Sequence, residues 1–253
     1  MKKGYLSNLE TWSINEDEQK VPILLNKSKR DHRCFIKLFN KYLDKSSNFQ
    51  EEVFEIGCSP GKFLIYLASN LGYQPSGVEI DKGRCELTRR NLKSQNLKAH
   101  IIQEDIFKIN LKKKFKVIIS CGFIEHFEGK KLEELLKIHS DLIKKDGVIF
   151  LSFPNFRYLN FLFAYFFRKD VLDQHNLKIM NKDFFKYFAE KYGFKILYLD
   201  YFGSIHPGGF KFSDKSFFSF INNFLIRFEK IEFLDNVNSK YFSHHLGAVL
   251  KKI

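Results

Sequence analysis

Short apolar runs alternate along this chain with stretches whose apolar positions recur at helical spacing. Phe35, Leu38, Phe39 and Tyr42 predict an amphipathic helix opening near Ser28, a plausible N-cap. A polar linker over 44–50 leads to the run Val53-Phe54-Glu55-Ile56, a glycine-bearing turn, and a helical pattern over 62–71. Strands follow at 75–81, 99–105, 115–120 and 148–153, with helices at 84–93 and around Leu132, Leu135, Leu136, His139 and Ile143. The 115–120 run is continuous and β-branched, as in a strand buried on both faces. Lys144-Lys145-Asp146-Gly147 is expected to close the preceding helix with glycine at a C′-like position.

Beyond Pro154 the pattern changes. Residues 156–167 are aromatic-rich, and Asn181 is expected to cap a helix running to Tyr192 with Gly193 as its stop. A sixth strand is expected over 194–200, a loop at 206–209, a phenylalanine-rich helix over 217–231 capped by Ser213, and a last strand over 246–250. Alternation of strand and helix predicts a doubly wound, mostly parallel sheet in an α/β/α sandwich. Residues 1–50 read as an N-terminal arm and helix, and 51–253 as the main domain, with aromatic-rich lid elements at about 155–180 and 205–243.

Composition narrows this modestly. The chain has 253 residues, enough for one large α/β domain, and 30 phenylalanines. A formal charge of +13 admits acidic partners without choosing among nucleic acid, anionic lipid and phosphorylated metabolites. Cys34, Cys58, Cys85 and Cys121 lie far apart, which argues against a zinc site or a disulfide framework and for a reduced, cytoplasmic protein. The first residues lead into polar sequence, so a signal peptide is not expected, and no apolar stretch reaches the length of a membrane span.

The chemistry sits at the ends of the strands. Glu55 precedes the turn Gly57-Cys58-Ser59-Pro60-Gly61, and Glu79 and Asp105 close the next two strands. All three acids are expected at the carboxyl-end crevice, where open α/β sheets bind ligands. A ligand with ribose hydroxyls, donor N–H groups and positive charge would suit them, as S-adenosylmethionine does.

In these residues the chain resembles the class I S-adenosylmethionine-dependent methyltransferases, a broad group that includes quinone-biosynthesis and polysaccharide-cluster enzymes. The resemblance implies a Rossmann-like seven-stranded sheet whose last strand is antiparallel. It implies that Glu55, Gly57, Cys58, Ser59 and Gly61 wrap the methionine end of the cofactor, that Glu79 and Ile80 meet the ribose, and that Asp105 and Ile106 meet adenine. Ser120 and Cys121, with Glu125 and His126 beyond, match the fourth strand and its exit. Ser59 stands where the family usually has a middle glycine. Gly122 stands where some quinone methyltransferases carry a metal-linked glutamate, which argues against a required metal.

For a hydroxyl acceptor, His126 is the first candidate base, against the plainer role of orienting the next helix; His175 is a weaker candidate. His139 reads as a helix-face residue, and His244 and His245 offer no partner that the sequence names. Residues 154–160 and 84–88 are similar to polysaccharide-cluster methyltransferases, which implies a small-molecule or glycan acceptor and O-methylation of a sugar or sugar nucleotide. A quinone-precursor or lipid-linked acceptor is the alternative, with a peripheral contact at an anionic membrane surface. RNA methylation is disfavoured because the fourth strand lacks the Asn/Asp-Pro-Pro-aromatic signature, and a non-catalytic scaffold is disfavoured because Glu79 and Asp105 are present. The oligomeric state is not readable from the sequence.

Overall fold

The apolar runs form one seven-stranded sheet in a computed structural model that describes residues 20–47, 49–204, 227 and 231–253. Strands β1 (Glu52–Ile56), β2 (Gln74–Glu79), β3 (His100–Gln103), β4 (Phe115–Cys121) and β5 (Ile143–Pro154) run parallel. β6 (Phe194–Phe202) and β7 (His245–Lys252) complete the order β3-β2-β1-β4-β5-β7-β6, with β7 antiparallel to both its neighbours. This is the doubly wound, Rossmann-like arrangement that the alternation of elements predicts.

Successive side chains of a strand point to opposite faces, and here each face feeds its own apolar cluster. Phe54, Ile118, Ile149 and Leu151 pack with residues of α4 (Gly129–Leu142) and α7 (Lys182–Tyr192). Val53, Val117, Ile119 and Phe150 pack with α1 (Arg30–Tyr42), α2 (Lys62–Leu71) and α3 (Lys82–Ser94). Burial on both sides is why the central strands carry β-branched runs without alternation.

Local signals set several boundaries. Asp81 caps α3 by accepting from the Arg84 N–H at 2.8 Å, and Asn181 caps α7 by accepting from the Phe184 N–H at 3.0 Å. Gly193 ends α7 at φ +67°. Two expectations are corrected. Ser28 is not the cap of α1, which starts at Arg30 with Lys29 in the cap position; Ser28 instead donates its N–H to Asn26 Oδ1. Gly147 is not a C′ residue, because α4 passes straight into extended backbone at Ile143 and Asp146 takes the left-handed conformation at φ +59°. What Gly147 provides is closeness, since a Cβ there would stand 2.9 Å from the Ile143 side chain and the Lys144 carbonyl.

Helix α1 is fastened to the segment that precedes β7. Arg33 donates from Nε and Nη2 to the buried Asp235 carboxylate at 3.0 and 2.9 Å, Lys37 adds a third contact at 2.9 Å, and Arg30 donates to the Val237 carbonyl at 2.6 Å. A planar guanidinium suits such a two-pronged contact. Past β5, α5 (Tyr158–Phe167) and α6 (Lys169–Asp173) leave the sheet, and α5 exposes Leu162, Tyr165 and Phe166. The arm with Trp12, the 206–209 loop and the 217–231 helix lie outside the described residues, apart from Arg227 and Ile231. No described helix is long and apolar enough to cross a membrane.

His139 is fully buried on α4, with Nδ1–H donating to the Leu135 carbonyl at 2.7 Å. Burial pushes it down to about 4 from the ordinary 6.5. The unfolded chain therefore takes up a proton first, so stability is complete above about pH 6.5 and is lost as pH falls towards 4. The contribution is about 3 kcal/mol. His139→Leu is expected to flatten the dependence of melting temperature on pH in that window, and an unchanged slope would refute the assignment.

Candidate active site

The site is built where β1 ends. After Ile56 the chain turns through Gly57 at φ +73° and reaches Gly61 at φ +84°, the N-cap of α2. The Ser59–Pro60 peptide is cis. The N–H groups of Gly57 and Cys58 both donate to the Val78 carbonyl, at 3.0 and 3.2 Å, which ties the turn to β2. A Cβ at Gly57 would lie 2.6 Å from the Phe123 ring, so side-chain bulk is excluded as well as the usual backbone geometry.

A cavity of about 370 Å³ opens over this turn, and Glu55, Gly57, Ser59, Gly61 and Cys121 line it among the described residues. Glu55 is buried, and its Oε2 has no hydrogen-bond partner among the described residues. Burial drives its carboxyl well above the usual range, against the pull of the Lys62 charge and the Leu64 N–H. A buried carboxylate oxygen in want of a donor is a ready partner for a ligand's ammonium group.

The other expected donor-site residues spread along the strand ends. Glu79 accepts from the N–H groups of Ile80 and Asp81 at 2.8 and 3.1 Å, and burial raises its carboxyl. Asp105 accepts from the Phe107 N–H at 3.1 Å, just past β3. The Ser120 hydroxyl is buried without a partner among the described residues. Cys58 and Ile106 turn their side chains into the core, so only their backbone is left to meet a ligand.

The opposite wall comes from residues that the sequence analysis did not select: Asp31, His32, Ser152, Pro154 and His245. Here His244 and His245 do have a partner, which corrects the earlier expectation. His245 Nε2 lies 3.7 Å from Asp31 Oδ1 and His244 Nδ1 lies 3.8 Å from Asp31 Oδ2. Burial raises the Asp31 carboxyl, but the two imidazoles and the Ser204 N–H outweigh it and hold the group well below the carboxylate range. Burial pushes His245 down to about 4, against the pull of Asp31. The legible signal was topological: an antiparallel strand beside β5 must begin at β5's carboxyl end, and His245 pairs with Pro154 there.

His126 and His175 are brought together, but they are not among the residues that line the cavity. β4 leaves through Gly122 at φ +71° into a 3-10 turn, Ile124–His126. His126 Nδ1 faces the Gln174 carbonyl at 2.9 Å and His175 Nδ1 faces the Val171 carbonyl at 2.6 Å, with the two rings 4.7 Å apart. Glu125 beside them is 1% exposed, and neither carboxylate oxygen has a hydrogen-bond partner among the described residues. Burial pushes its carboxyl up to about 8.

Comparison with known proteins decides what the glycine turn belongs to. A family model described as a methyltransferase domain matches residues 53–147, from β1 to the start of β5, and the fold is one shared with S-adenosylmethionine-dependent methyltransferases. It is 33% identical over 117 residues to a ribosomal protein L11 methyltransferase of Thermosipho africanus and 27% identical over 113 residues to a ubiquinone biosynthesis O-methyltransferase of Pelagibacter ubique. Those stretches cover 46% and 45% of this chain, and the chain spans less than half the length of these relatives, 42% and 46%. In structure it is similar to an S-adenosylmethionine-dependent methyltransferase from Archaeoglobus fulgidus at a TM-score of 0.58 and 19% identity, over 88% of this chain and 94% of that one.

The residues present fit S-adenosylmethionine, the methyl donor that the resemblance implies: a buried carboxyl oxygen at Glu55 without a partner among the described residues for the amino group, and a turn with no room for a Cβ. Gly57→Ala would force a left-handed backbone on alanine and drive its methyl into Phe123, each costing about 1–3 kcal/mol. Titration calorimetry is expected to show cofactor binding weakened at least tenfold while the fold persists by circular dichroism. Unchanged affinity would remove the turn from the cofactor site.

Proposed function

We propose that the chain is an S-adenosylmethionine-dependent O-methyltransferase acting on a sugar or sugar nucleotide. One observation carries the reading: the donor turn and the polar wall of Asp31, His32, Ser152 and His245 share a single cavity. A hydroxyl-rich acceptor would find hydrogen-bonding groups there. The likeness of 154–160 and 84–88 to polysaccharide-cluster methyltransferases supports the same acceptor class.

In the proposed reaction the acceptor oxygen attacks the sulfonium methyl in line, the C–S bond breaks, and the demethylated cofactor leaves. Alignment of the two reactants can supply roughly 7–11 kcal/mol. The proton of the hydroxyl goes to His245, which burial keeps neutral and therefore accepting at pH 7. The ionised Asp31 then stabilises the resulting imidazolium. His126, the first candidate from the sequence, gives way to His245 on position: His245 lines the cavity.

A quinone-like or lipid-linked acceptor is the second reading, favoured by the exposed Leu162, Tyr165 and Phe166 of α5 beside Lys169. Such a face, with basic residues at its end, suits contact with an anionic membrane surface. The ubiquinone-biosynthesis relative points the same way.

The test is turnover of labelled S-adenosylmethionine against sugars and sugar nucleotides, and in parallel against catechols and polyprenylated phenols. Methylation in the first set is expected, with His245→Gln lowering kcat by about 10²–10⁴-fold and leaving cofactor affinity in place. Turnover confined to the second set would transfer the assignment to the second reading. Failure to bind either S-adenosylmethionine or its demethylated product would remove both.

A further inference from the structure

We propose that α5 docks the chain on an anionic phospholipid bilayer, its outward apolar face inserted among the lipids and the basic residues around it set at the headgroups. Tyr158, Leu159, Leu162, Tyr165 and Phe166 recur at the spacing of one helix face, about a third of the circumference. All five are exposed, Phe166 at 72%. The buried members of α5 are Asn160 and Ala164, which that spacing puts on the opposite side. Asn160 donates from Nδ2 to the Ser243 carbonyl at 3.0 Å. The helix is thus fastened to the protein by a polar residue and offers its apolar side outward, the reverse of a helix that packs on a core.

Charge and size choose the occupant. Arg157 precedes the helix, Arg168 and Lys169 follow it, and Lys240 holds its ammonium 5.6 Å from the centre of the Tyr158 ring. Between residues 157 and 178 the acids are Asp170, which pairs with Arg168 at 3.0 Å, and Asp173. Lys169 and Lys240 form no ion pair among the described residues. Tyr241, also exposed and with its ring 5.0 Å from that of Tyr158, widens the face. An apolar stripe edged by tyrosines and cations is the composition of a helix lying in the plane of an anionic interface. A second protein chain fits less well. Ten residues make a helix about 15 Å long, and its one exposed stripe falls far short of the roughly 20–30 residues a side of a stable protein interface. A bilayer needs only buried apolar area and attraction to its headgroups.

The face also stands where docking would matter. Pro154 lines the donor cavity and α5 begins at Tyr158, so both lie at the end of the sheet where the parallel strands finish. Docking through α5 therefore holds the cavity close to the membrane surface. It does so whichever acceptor is methylated, and the contact is independent of both readings above.

The experiment is flotation of the full chain with vesicles of phosphatidylcholine alone and of phosphatidylcholine mixed with phosphatidylglycerol, at low and high salt. Binding is expected to the anionic vesicles only, and to weaken as salt screens the headgroups. Phe166→Asp, and separately Lys169→Glu combined with Lys240→Glu, are each expected to weaken it at least about tenfold, with circular dichroism and S-adenosylmethionine affinity retained. Phe166→Trp in a Trp12→Phe background is expected to bind and to shift its emission to shorter wavelength on the anionic vesicles. No binding to anionic vesicles at low salt, full binding by Phe166→Asp, or unshifted emission from bound protein would overturn the docking. A dimer seen by light scattering and dissolved by Phe166→Asp, without vesicle binding, would give the face to a second copy of the chain. Cofactor affinity, measured on the same preparations, tests the methyltransferase reading separately.

Discussion

The close approach of backbone to backbone at the end of β1 is the constraint from which the rest of the site follows. A Cβ at Gly77 would stand 2.8 Å from the Glu55 carbonyl and 2.7 Å from Cys58 Cβ, so β2 can come this near only with glycine there. That proximity lets the Val78 carbonyl receive both N–H groups of the turn, sends the Cys58 side chain inward, and leaves the turn's outer face as bare backbone over the cavity. Phe123, arriving from the exit of β4, fills the space beside Gly57 and locks the turn from the other side. Adjacent parallel strands thus cooperate to make a surface on which a flat, charged ligand can lie.

The opposite wall depends on a different device. β7 enters the sheet antiparallel between β5 and β6, so its first residue stands at the end where the parallel strands finish. His245 is therefore delivered to the cavity by topology, and Asp31 is delivered to His245 by the clamp of Arg33 on Asp235 that holds α1 against the segment before β7. Gly203, at φ +94°, brings the end of β6 within van der Waals range of both, and the Ser204 N–H donates to Asp31. An ionised carboxylate next to a neutral imidazole is the consequence: burial discourages charge on the ring, and the hydrogen bond and neighbouring rings encourage it on the acid.

The turn after β1 and the acids at the strand ends were legible in the sequence because their physics is local. Glycines at a strand-to-helix turn, acids at successive strand ends, and caps such as Asp81 and Asn181 act over a few residues, and spacing alone displays them. The wall that holds Asp31 and His245 was not legible because it is assembled from distant pieces. Asp31 and His245 are brought together across the whole chain, and nothing in the surroundings of either residue announces the other. His126, whose place after β4 suggests a base, instead faces the Gln174 carbonyl and the His175 ring, outside the described lining of the cavity. Gly147 shows the same limit on a smaller scale, since a residue that looks like a helix stop is there to clear the Ile143 side chain.

Two buried carboxyl groups, Glu55 and Glu125, stand at the site without full hydrogen bonding among the described residues. Each flanks a glycine with positive φ, Gly57 in one case and Gly122 in the other, and both glycines line the same cavity. Glu55 sits inside β1, where Lys62 and the Leu64 N–H partly offset its charge, so a single ammonium from the donor suffices to satisfy it. Glu125 is offset by a backbone hydrogen bond alone, and the His126 and His175 rings lie near it. The same fold thus holds two buried carboxyl groups beside one cavity, both raised by burial and both short of hydrogen-bond donors among the described residues.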